Sequence, residues 1–466
     1  MNDTRLTETD KTGLVRRLGL FDSTMMMVGI VVGSGIFLTT GIMAKSIPSA
    51  GLILLAWGVG GFLTLAGALT FAELGAAMPE AGGQYVYLRE AYGHLAGFLF
   101  GWILFLVSMG GSIAALAVGF AEYFGYFFPS LSTQHILLSV KFSQSIHYTL
   151  SAGQLVAVAV IVLLSMINVV GVGLGKTVQN IITAIKIGTI VLFVFFGLTL
   201  GKGISFDFRS FSTASGLSLG QIIVGFGVAL VAVSWAFDGW HNINYVAGEI
   251  KNPRRNLPVA LILGTFIITG LYVLVNIVYL AAVPISEMSG VVRIAEKTAT
   301  SLFGSTTAGL VSAAVLVSTF GALNGAIFVA PRVYYAMARD RLFFRRVGRI
   351  HPRFRTPAFA ILLQAIWASL LALTGTYEQL FTYVIFITFI FWIAGTASVF
   401  QLRRKAPDLP RPYRTWGYPA MPMVFIIASV GILINTMIEK PVESLAGVGL
   451  MVIGVPVYHY WKRKTL

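Results

Sequence analysis

The sequence contains no cysteine and few charged residues, and each absence excludes a class of protein. Without cysteine the chain has no disulfide, no thiol nucleophile and no thiolate metal site. Charged residues make up 11% of the 466 residues, whereas hydrophobic residues make up 56%. A water-soluble protein of this length needs more polar residues to cover its surface. The composition therefore predicts a membrane protein.

Long apolar runs recur along the whole chain, and each is close to the ~20 residues that span a bilayer as a helix. They predict an all-α polytopic membrane protein with twelve transmembrane helices. The first 19 residues are polar, so they do not resemble a cleavable signal peptide, and the first apolar run is expected to direct insertion. The predicted spans are residues 21–43, 51–75, 95–125, 153–170, 178–200, 220–246, 258–283, 304–336, 357–374, 379–402, 418–437 and 444–461.

The basic residues predict the orientation of these spans. An even number of spans places both termini on one side, and the positive-inside rule identifies that side as the cytoplasm. With a cytoplasmic N-terminus, 24 of the 33 lysines and arginines fall in inside segments and seven fall in outside loops. The formal charge of +15 is therefore explained by topology, and no nucleic-acid partner is expected. The segment RDRLFFRRVGRIHPRFR, from Arg339 to Arg355, is interpreted as a topology anchor, with a specific lipid or regulatory site as the alternative.

The first span is weakened at its centre by Gly33, Ser34 and Gly35. Each glycine costs up to about 1 kcal/mol against alanine in a helix interior. One interpretation is close helix packing, because Gly29 and Gly33 form a GxxxG pair. The other is a break in the helix that leaves backbone groups free to bind a ligand.

The sixth span carries a matching irregularity in the stretch VAVSWAFDGWHNINYVAGE. Asp238 and Gly239 lie between Trp235, Phe237 and Trp240 in an apolar segment. An acidic residue at membrane depth is costly and predicts a functional site. The alternative is that Asp238 is hydrated near the cytoplasmic end of the span.

The two irregular spans each open a block of five, which favours a transporter. Because five is odd, spans 1–5 and 6–10 run in opposite senses, and glycine-interrupted spans at corresponding positions mark a transporter's binding site. An unwound stretch presents amide groups at the positive end of one half-helix, which suits a carboxylate. It also presents carbonyls from the preceding half-helix, which suit an ammonium group. An α-amino acid carries both groups.

Several motifs in the same order resemble the amino acid–polyamine–organocation superfamily, and within it the L-type amino acid transporters and their bacterial relatives. The likeness extends from about Leu18 to Tyr460. The motifs are IVVGSGIF at 30–37, FAELGAAMPEAGGQYVYLREAYG at 71–93, AFDGWHNINYVAGEIKNPRRNLPVAL at 236–261, FGALNGAIFVAPRVYYAMARDR at 320–341 and RRKAPDLPRPYR at 403–414.

The resemblance implies a LeuT-type fold, with a 5+5 inverted repeat, two additional helices and broken helices 1 and 6. The expected organisation is a cytoplasmic tail at 1–19, repeats at 20–200 and 220–402, the last two helices at 418–461, and a cytoplasmic C-terminus at 462–466. The substrate would lie between the two broken helices. The implied substrate-binding residues are Ile30, Val31, Gly33, Ser34, Gly35, Trp235, Ala236, Phe237, Asp238 and Asn324.

Among these residues the resemblance assigns separate roles. Ser34 and Gly35 would meet the carboxylate, with Gly33 making room, and carbonyls near Ile30, Val31 and Trp235 would meet the amine. The Trp235 ring would form an aromatic lid where phenylalanine is more usual. Asp238 falls where relatives vary, which leaves the side-chain pocket open. Asn324 would line the pocket, or else form an Asn-Gly packing kink.

The resemblance also implies a coupling role for Lys186 in the fifth span. An ammonium group beside spans 1 and 8 would stand where sodium-coupled relatives hold a cation, and it would satisfy carbonyls freed by the first break. The alternative is that the long side chain reaches water at the cytoplasmic end.

The function expected from the sequence is sodium-independent exchange of neutral L-amino acids by alternating access. Proton-coupled uptake and a substrate-sensing transceptor are the alternatives. No enzyme motif, cofactor or metal site is expected, because the six histidines are scattered. The chain is expected to work alone among the lipids of the plasma (inner) membrane. Without cysteine it cannot form a disulfide with a heavy chain.

Overall fold

The computed structural model describes residues 14–141, 147–201, 217–291, 293–374 and 377–464. Most of the predicted N-terminal tail, residues 1–13, lies outside these ranges. So do Lys202 and Arg209, which were assigned to an outside loop.

In the described part of its first half, the chain forms eight α-helices. The first apolar run is divided between two of them, and a π-helical turn at Leu104–Ser108 joins the fifth to the sixth. The helices are α1 (Leu20–Val31), α2 (Gly35–Ser46), α3 (Ala50–Ala77), α4 (Gln84–Tyr92), α5 (His94–Ile103), α6 (Met109–Phe127), α7 (Ala152–Val170) and α8 (Val172–Leu200).

The second half begins with another divided span, in which α9 is followed by a 3-10 helix at Asn242–Glu249. The remaining helices complete the bundle. They are α9 (Leu219–Phe237), α10 (Pro253–Ala282), α11 (Ile285–Met288), α12 (Ile294–Phe303), α13 (Ala308–Val329), α14 (Pro331–Arg339), α15 (Ala358–Thr374), α16 (Tyr377–Lys405), α17 (Ala420–Glu439) and α18 (Pro441–Arg463).

Eleven helical segments of the described residues are long and apolar enough to cross a membrane. The helical membrane class predicted from composition is therefore confirmed. Eleven of the twelve predicted spans coincide with these segments. The ninth, predicted at 357–374, is the shorter apolar helix α15 of 17 residues, at the lower end of the ~17–25 residues that span a bilayer.

The one β-sheet within the described residues is a two-stranded hairpin, which the sequence analysis did not predict. Strands β1 (Ile136–Lys141) and β2 (His147–Ser151) pair antiparallel in the loop between α6 and α7. Ser151 then caps α7, because its hydroxyl accepts a hydrogen bond from the amide of Gln154.

The divided first span lies at the centre of the bundle, where nearly all of its residues are buried. Helix α1 packs against α8, α10 and α13. Close approach to α8 requires Gly29, since an added methyl group there would lie 2.1 Å from Thr183 Oγ1. The close packing suggested for Gly29 is therefore present, and it coexists with the break that follows.

One face of the molecule carries both ends of the described chain. The amide of Lys251 donates to the carbonyl of Leu18, and the ring of Phe344 meets the ring of Trp461 near the end of α18. Two further contacts lie between these points. The amide of Gly82 donates to the carbonyl of Tyr245, and the guanidinium of Arg89 pairs with the carboxylate of Asp340. We call this side the basic face, because the arginine-rich segment 339–355 lies on it.

Ion pairs hold the basic face together. The guanidinium of Arg332, which is fully buried, pairs with the buried carboxylate of Glu249 at 2.6 and 3.1 Å. Arg89 pairs with Asp340 at 2.6 Å. Burial alone would lower the pKa of Arg89, but the hydrogen bond and charge of Asp340 outweigh burial and raise that pKa. Arg89 therefore stays positively charged across the physiological pH range.

Candidate substrate site

The first span is interrupted for three residues at its buried centre. Helix α1 ends at Val31 and α2 begins at Gly35, so that Val32, Gly33 and Ser34 form the link. Ser34 is only 1% exposed. A helix end in an apolar interior leaves carbonyl groups that need donors.

Three side chains supply those donors. Lys186 Nζ donates to the carbonyl oxygens of Gly29 and Val32, at 2.8 Å each. The hydroxyl of Ser318 donates to the Val32 oxygen at 3.0 Å, and the hydroxyl of Tyr272 reaches the Val31 oxygen at 2.9 Å. The end of α1 is therefore held by side chains of α8, α13 and α10.

The sixth span is interrupted at the corresponding place. Helix α9 ends at Phe237, and Asp238 begins a turn that leads into the 3-10 helix. Gly239 has a φ of +97°, which strongly favours glycine. The amide of Asp238 donates to the carbonyl of Trp235 at 3.1 Å and closes the end of α9.

The two interruptions are in direct contact. A methyl group added at Gly35 would lie 2.7 Å from the Cα of Ala236, and one added at Gly239 would lie 2.5 Å from Cγ2 of Ile30. Both glycines are therefore needed for the close approach of the two broken helices. This contact explains the absence of a side chain at Gly35 more directly than ligand access does.

A small cavity lies between the two interruptions. Seven of the ten predicted substrate-binding residues line it, from both broken helices. Its lining residues are Ile30, Val31, Gly33, Ser34, Gly35, Met109, Ser112, Leu116, Trp235, Asp238, Gly239, Asn242 and Ala326.

Three predicted substrate-binding residues are absent from the cavity lining. Ala236 packs on Gly35, and its carbonyl accepts a hydrogen bond from the hydroxyl of Tyr272 at 2.9 Å. The ring of Phe237 packs on Trp57 and Tyr272, with centroids 6.2 and 5.0 Å away. These two residues pack against the break on the side that does not line the cavity.

Asn324, the third, lies in a separate buried polar cluster. Its amide nitrogen donates to Gln179 Oε1 and its amide oxygen accepts from Asn168 Nδ2, both at 2.9 Å. These contacts join α13 to α8 and α7. In this structure the side chain of Asn324 bonds within that cluster and does not line the cavity, and its role in substrate binding stays a prediction.

Sequence reasoning missed six of the lining residues. Met109, Ser112 and Leu116 come from α6, whose apolar sequence gives no sign of which face turns inward. Gly239 and Asn242 lie within four residues after Asp238, so the polar residues that follow the break could have indicated them as cavity-lining residues. Ala326 carries no chemical signal.

A second small cavity continues from the first toward the basic face. The two cavities share Met109, Ser112, Asp238 and Asn242. Gln84, at the start of α4, lines the far side of the second cavity, and its amide donates to the carbonyl of Phe391. Asp238 therefore lies between the two cavities, with its side chain only partly exposed.

Tyr272 joins the two broken helices through a single hydroxyl, and its loss is expected to slow transport. Tyr272→Phe removes the one hydroxyl proton that the Val31 and Ala236 carbonyls share, and an unsatisfied buried polar group costs about 1–3 kcal/mol. We expect the turnover rate to fall about tenfold. Initial rates of radiolabelled amino acid exchange in proteoliposomes measure this change.

Tyr279→Phe provides the matched control on the same helix. The Tyr279 ring is fully buried two turns further along α10, and its hydroxyl has no hydrogen-bond partner among the described residues. Its loss is expected to leave exchange unchanged. Equal rates for the two variants would contradict the role given to Tyr272.

The fold and the cavity together define a class of protein. Two interrupted membrane helices face each other across a small, partly polar cavity, and buried side chains hold the freed backbone groups. Such an arrangement is typical of secondary transporters, which bind a small solute near the middle of the membrane.

Comparison with known proteins identifies the family. The family profile described as amino acid permease matches residues 18–457. The serine/threonine exchanger SteT of Bacillus subtilis (strain 168) is 33% identical over 98% of this chain and 99% of its own. The human large neutral amino acids transporter small subunit 2 is 31% identical over 97% of this chain and 82% of its own. The human b(0,+)-type amino acid transporter 1 is 31% identical over 98% and 91%.

The chain therefore belongs to the amino acid permeases of the amino acid–polyamine–organocation superfamily, with relatives among the L-type transporters. It is a multi-pass membrane protein that transports amino acids, and it is not an enzyme. The family predicted from the sequence motifs is confirmed.

Proposed function

We propose that the protein exchanges neutral L-amino acids across the plasma (inner) membrane by alternating access and without sodium. The observation that carries this proposal is Lys186, whose ammonium nitrogen bonds the two carbonyls at the end of α1. The same nitrogen lies beside α13, since a methyl group added at Gly321 would be 3.1 Å from it. A fixed ammonium group between spans 1 and 8 supplies positive charge where a sodium ion would otherwise be needed.

The cavity is proposed to hold the amino and carboxylate groups of the substrate. The amides at the start of α2, from Ser34 and Gly35, face the cavity at the positive end of a 12-residue helix, and this end favours a carboxylate. Carbonyls near Ile30, Val31 and Trp235 belong to helix ends, where the dipole favours the ammonium group.

The lining supports a small or medium neutral side chain. Trp235 limits the space, while Ser112 and Asn242 offer polar contacts. The partly exposed carboxylate of Asp238 is suited to accept a hydrogen bond from a hydroxylated side chain. The relative from Bacillus subtilis is named a serine/threonine exchanger, which agrees with this choice.

We propose a LeuT-type fold with repeats at 20–200 and 220–402, two further helices at 418–461, and both termini in the cytoplasm. The breaks fall in the opening span of each repeat, which supports the inverted symmetry. Residues 14–18 and 461–464 share the basic face, which requires an even number of crossings. Counting α15 as a span therefore agrees with the twelve predicted.

The chain is proposed to function alone. It has no cysteine to link a heavy chain, and its buried site is assembled from its own helices.

Reconstitution into proteoliposomes tests exchange. We expect uptake of labelled serine or threonine to require unlabelled amino acid inside the vesicles. Uptake should be unchanged when choline replaces sodium and when a pH gradient is imposed. Competition by an excess of each of the twenty amino acids then defines the substrate range, and small neutral side chains are expected to compete best.

Three outcomes would contradict the proposal in different ways. Concentrative uptake into empty vesicles, driven by external acid, would establish proton-coupled symport. Substrate binding without flux under any gradient would establish a sensor, as expected for a transceptor. A stimulation by sodium would contradict the role given to the Lys186 ammonium group.

A further inference from the structure

A groove that shares no lining residue with the two cavities lies at the edge of the basic face. It lies between the end of α18, the segment after α14, and α5. We call it the interfacial groove. Its lining residues are Trp102, Arg341, Phe343, Phe344, Arg345, Val457, Tyr460, Trp461 and Lys464.

The interfacial groove is cationic. Arg345 and Lys464 are exposed, and neither forms an ion pair with any of the acidic residues that the structure describes. Arg341 adds a third positive charge, and the lining contains no aspartate or glutamate in the described part of the chain. The Lys464 ammonium lies 4.6 Å from the ring of Tyr460, which holds it at the mouth of the groove.

The aromatic residues place this groove at the border between lipid and water. Phe344 and Tyr460 are each 53% exposed, although they are large and apolar. The ring of Phe344 packs against Trp461 with centroids 5.1 Å apart. The candidate span Ser444–Arg463 ends in the groove, so the aromatic wall lies at the end of a membrane span. Tyrosine and tryptophan concentrate at this depth in membrane proteins.

We propose that the interfacial groove binds an anionic phospholipid of the cytoplasmic leaflet. The phosphate would pair with Arg345 and Lys464, and an acyl chain would lie against Val457 and the exposed aromatic rings. Basic pockets between membrane helices on the cytoplasmic side have the charge and depth to bind such headgroups. The leaflet follows from the predicted orientation. An apolar wall on the membrane side favours a lipid over a free anion.

This site gives the segment from Arg339 to Arg355 a second role beside anchoring topology. Only Arg341 and Arg345 of its seven arginines line the groove. A topology signal depends on the number of charges, whereas a lipid site depends on their position. An experiment therefore has to remove charges at different positions while keeping the number of removed charges equal.

Native mass spectrometry of the full chain in detergent tests the proposal. We expect retention of added phosphatidylglycerol but not of phosphatidylcholine with the same acyl chains. Each interfacial cation contributes about fivefold to the affinity for anionic lipid, so the double variant R345Q/K464Q should bind phosphatidylglycerol about 30-fold more weakly. The charge-conserving double variant R345K/K464R should retain the lipid.

The double variant R346Q/K462Q is the matched control. Arg346 and Lys462 are exposed neighbours that do not line the groove, and their loss changes the net charge equally. We expect the control to bind like the unmodified chain. Unchanged binding by R345Q/K464Q, or an equal loss in both double variants, would overturn the proposal. Millimolar inorganic phosphate that displaces the lipid would assign the groove to a free anion instead. Thermal unfolding in plain detergent checks that all variants are folded.

Discussion

Lys186→Ala is expected to abolish amino acid exchange while the protein still inserts and folds. The substitution removes the donor of two carbonyl groups, those of Gly29 and Val32, in a region where the lysine side chain is only 3% exposed. The Val32 carbonyl keeps the Ser318 hydroxyl as a donor, whereas the buried Gly29 carbonyl loses the Lys186 donor, at a cost of about 1–3 kcal/mol. We expect the exchange rate to fall by at least about 100-fold.

Two further lysine variants test whether the effect depends on the position and the shape of the Lys186 side chain. Lys251→Ala removes an exposed lysine on the basic face and is expected to leave exchange unchanged. Lys186→Arg keeps the charge but replaces the compact ammonium group by a planar guanidinium group. The fixed geometry of its donors cannot bond both carbonyls in the same way. We expect this variant to fold and to recover only part of the activity. Normal exchange by Lys186→Ala would contradict the coupling role proposed for Lys186.

Gly35→Ala is expected to have the second largest effect. The added methyl group would lie 2.7 and 2.9 Å from Cα and Cβ of Ala236, so one of the two broken helices has to move. Overpacking in a tight interior costs about 1–3 kcal/mol, and the displacement falls on the walls of the substrate cavity. We expect exchange to fall at least about 30-fold and the unfolding temperature to decrease.

Gly58→Ala on α3 is the matched control for this substitution. Gly58 is an exposed glycine in a membrane helix, and an added methyl group there meets nothing within 4 Å. Because alanine is a better helix former than glycine, this variant is expected to be at least as stable as the original chain. Exchange rates and detergent thermal unfolding measure both variants. A Gly35→Ala protein with normal exchange would show that the two breaks do not have to touch.

The two variants separate the parts of the proposed mechanism. Lys186 supports the end of α1 from outside the cavity, whereas Gly35 sets the distance between the two breaks within it. We expect Lys186→Ala to retain substrate-induced stabilisation against heat more fully than Gly35→Ala, because the cavity lining is unchanged. Thermal unfolding with and without millimolar serine distinguishes these two defects.

Much of the architecture was predictable because it depends on local composition. Long apolar runs without charge have to form helices in a bilayer, since backbone groups there find no water. Glycine pairs and an acidic residue inside such runs marked the two interruptions. The position of Lys186 on the fifth span, together with family resemblance, indicated its place beside the first break.

Other features depended on how the helices rotate against one another. Neighbouring residues on a helix point about 100° apart, so proximity in sequence to the break did not place a side chain in the cavity. Phe237 therefore packs behind the break on Tyr272, while Asp238 faces the cavity. Asn324 likewise turns to Gln179, and Ser112 of α6 turns inward without any local signal.

The sequence by itself determined the class of protein, the position of the two breaks and the family, because hydrophobicity, glycine content and motif order are properties of the chain alone. Only the tertiary structure decided which groups meet. Lys186 bonds Gly29 and Val32 across more than 150 residues of sequence, and Gly35 contacts Ala236 from the other half of the chain. Such contacts arise from the packing of distant helices, which no local pattern encodes.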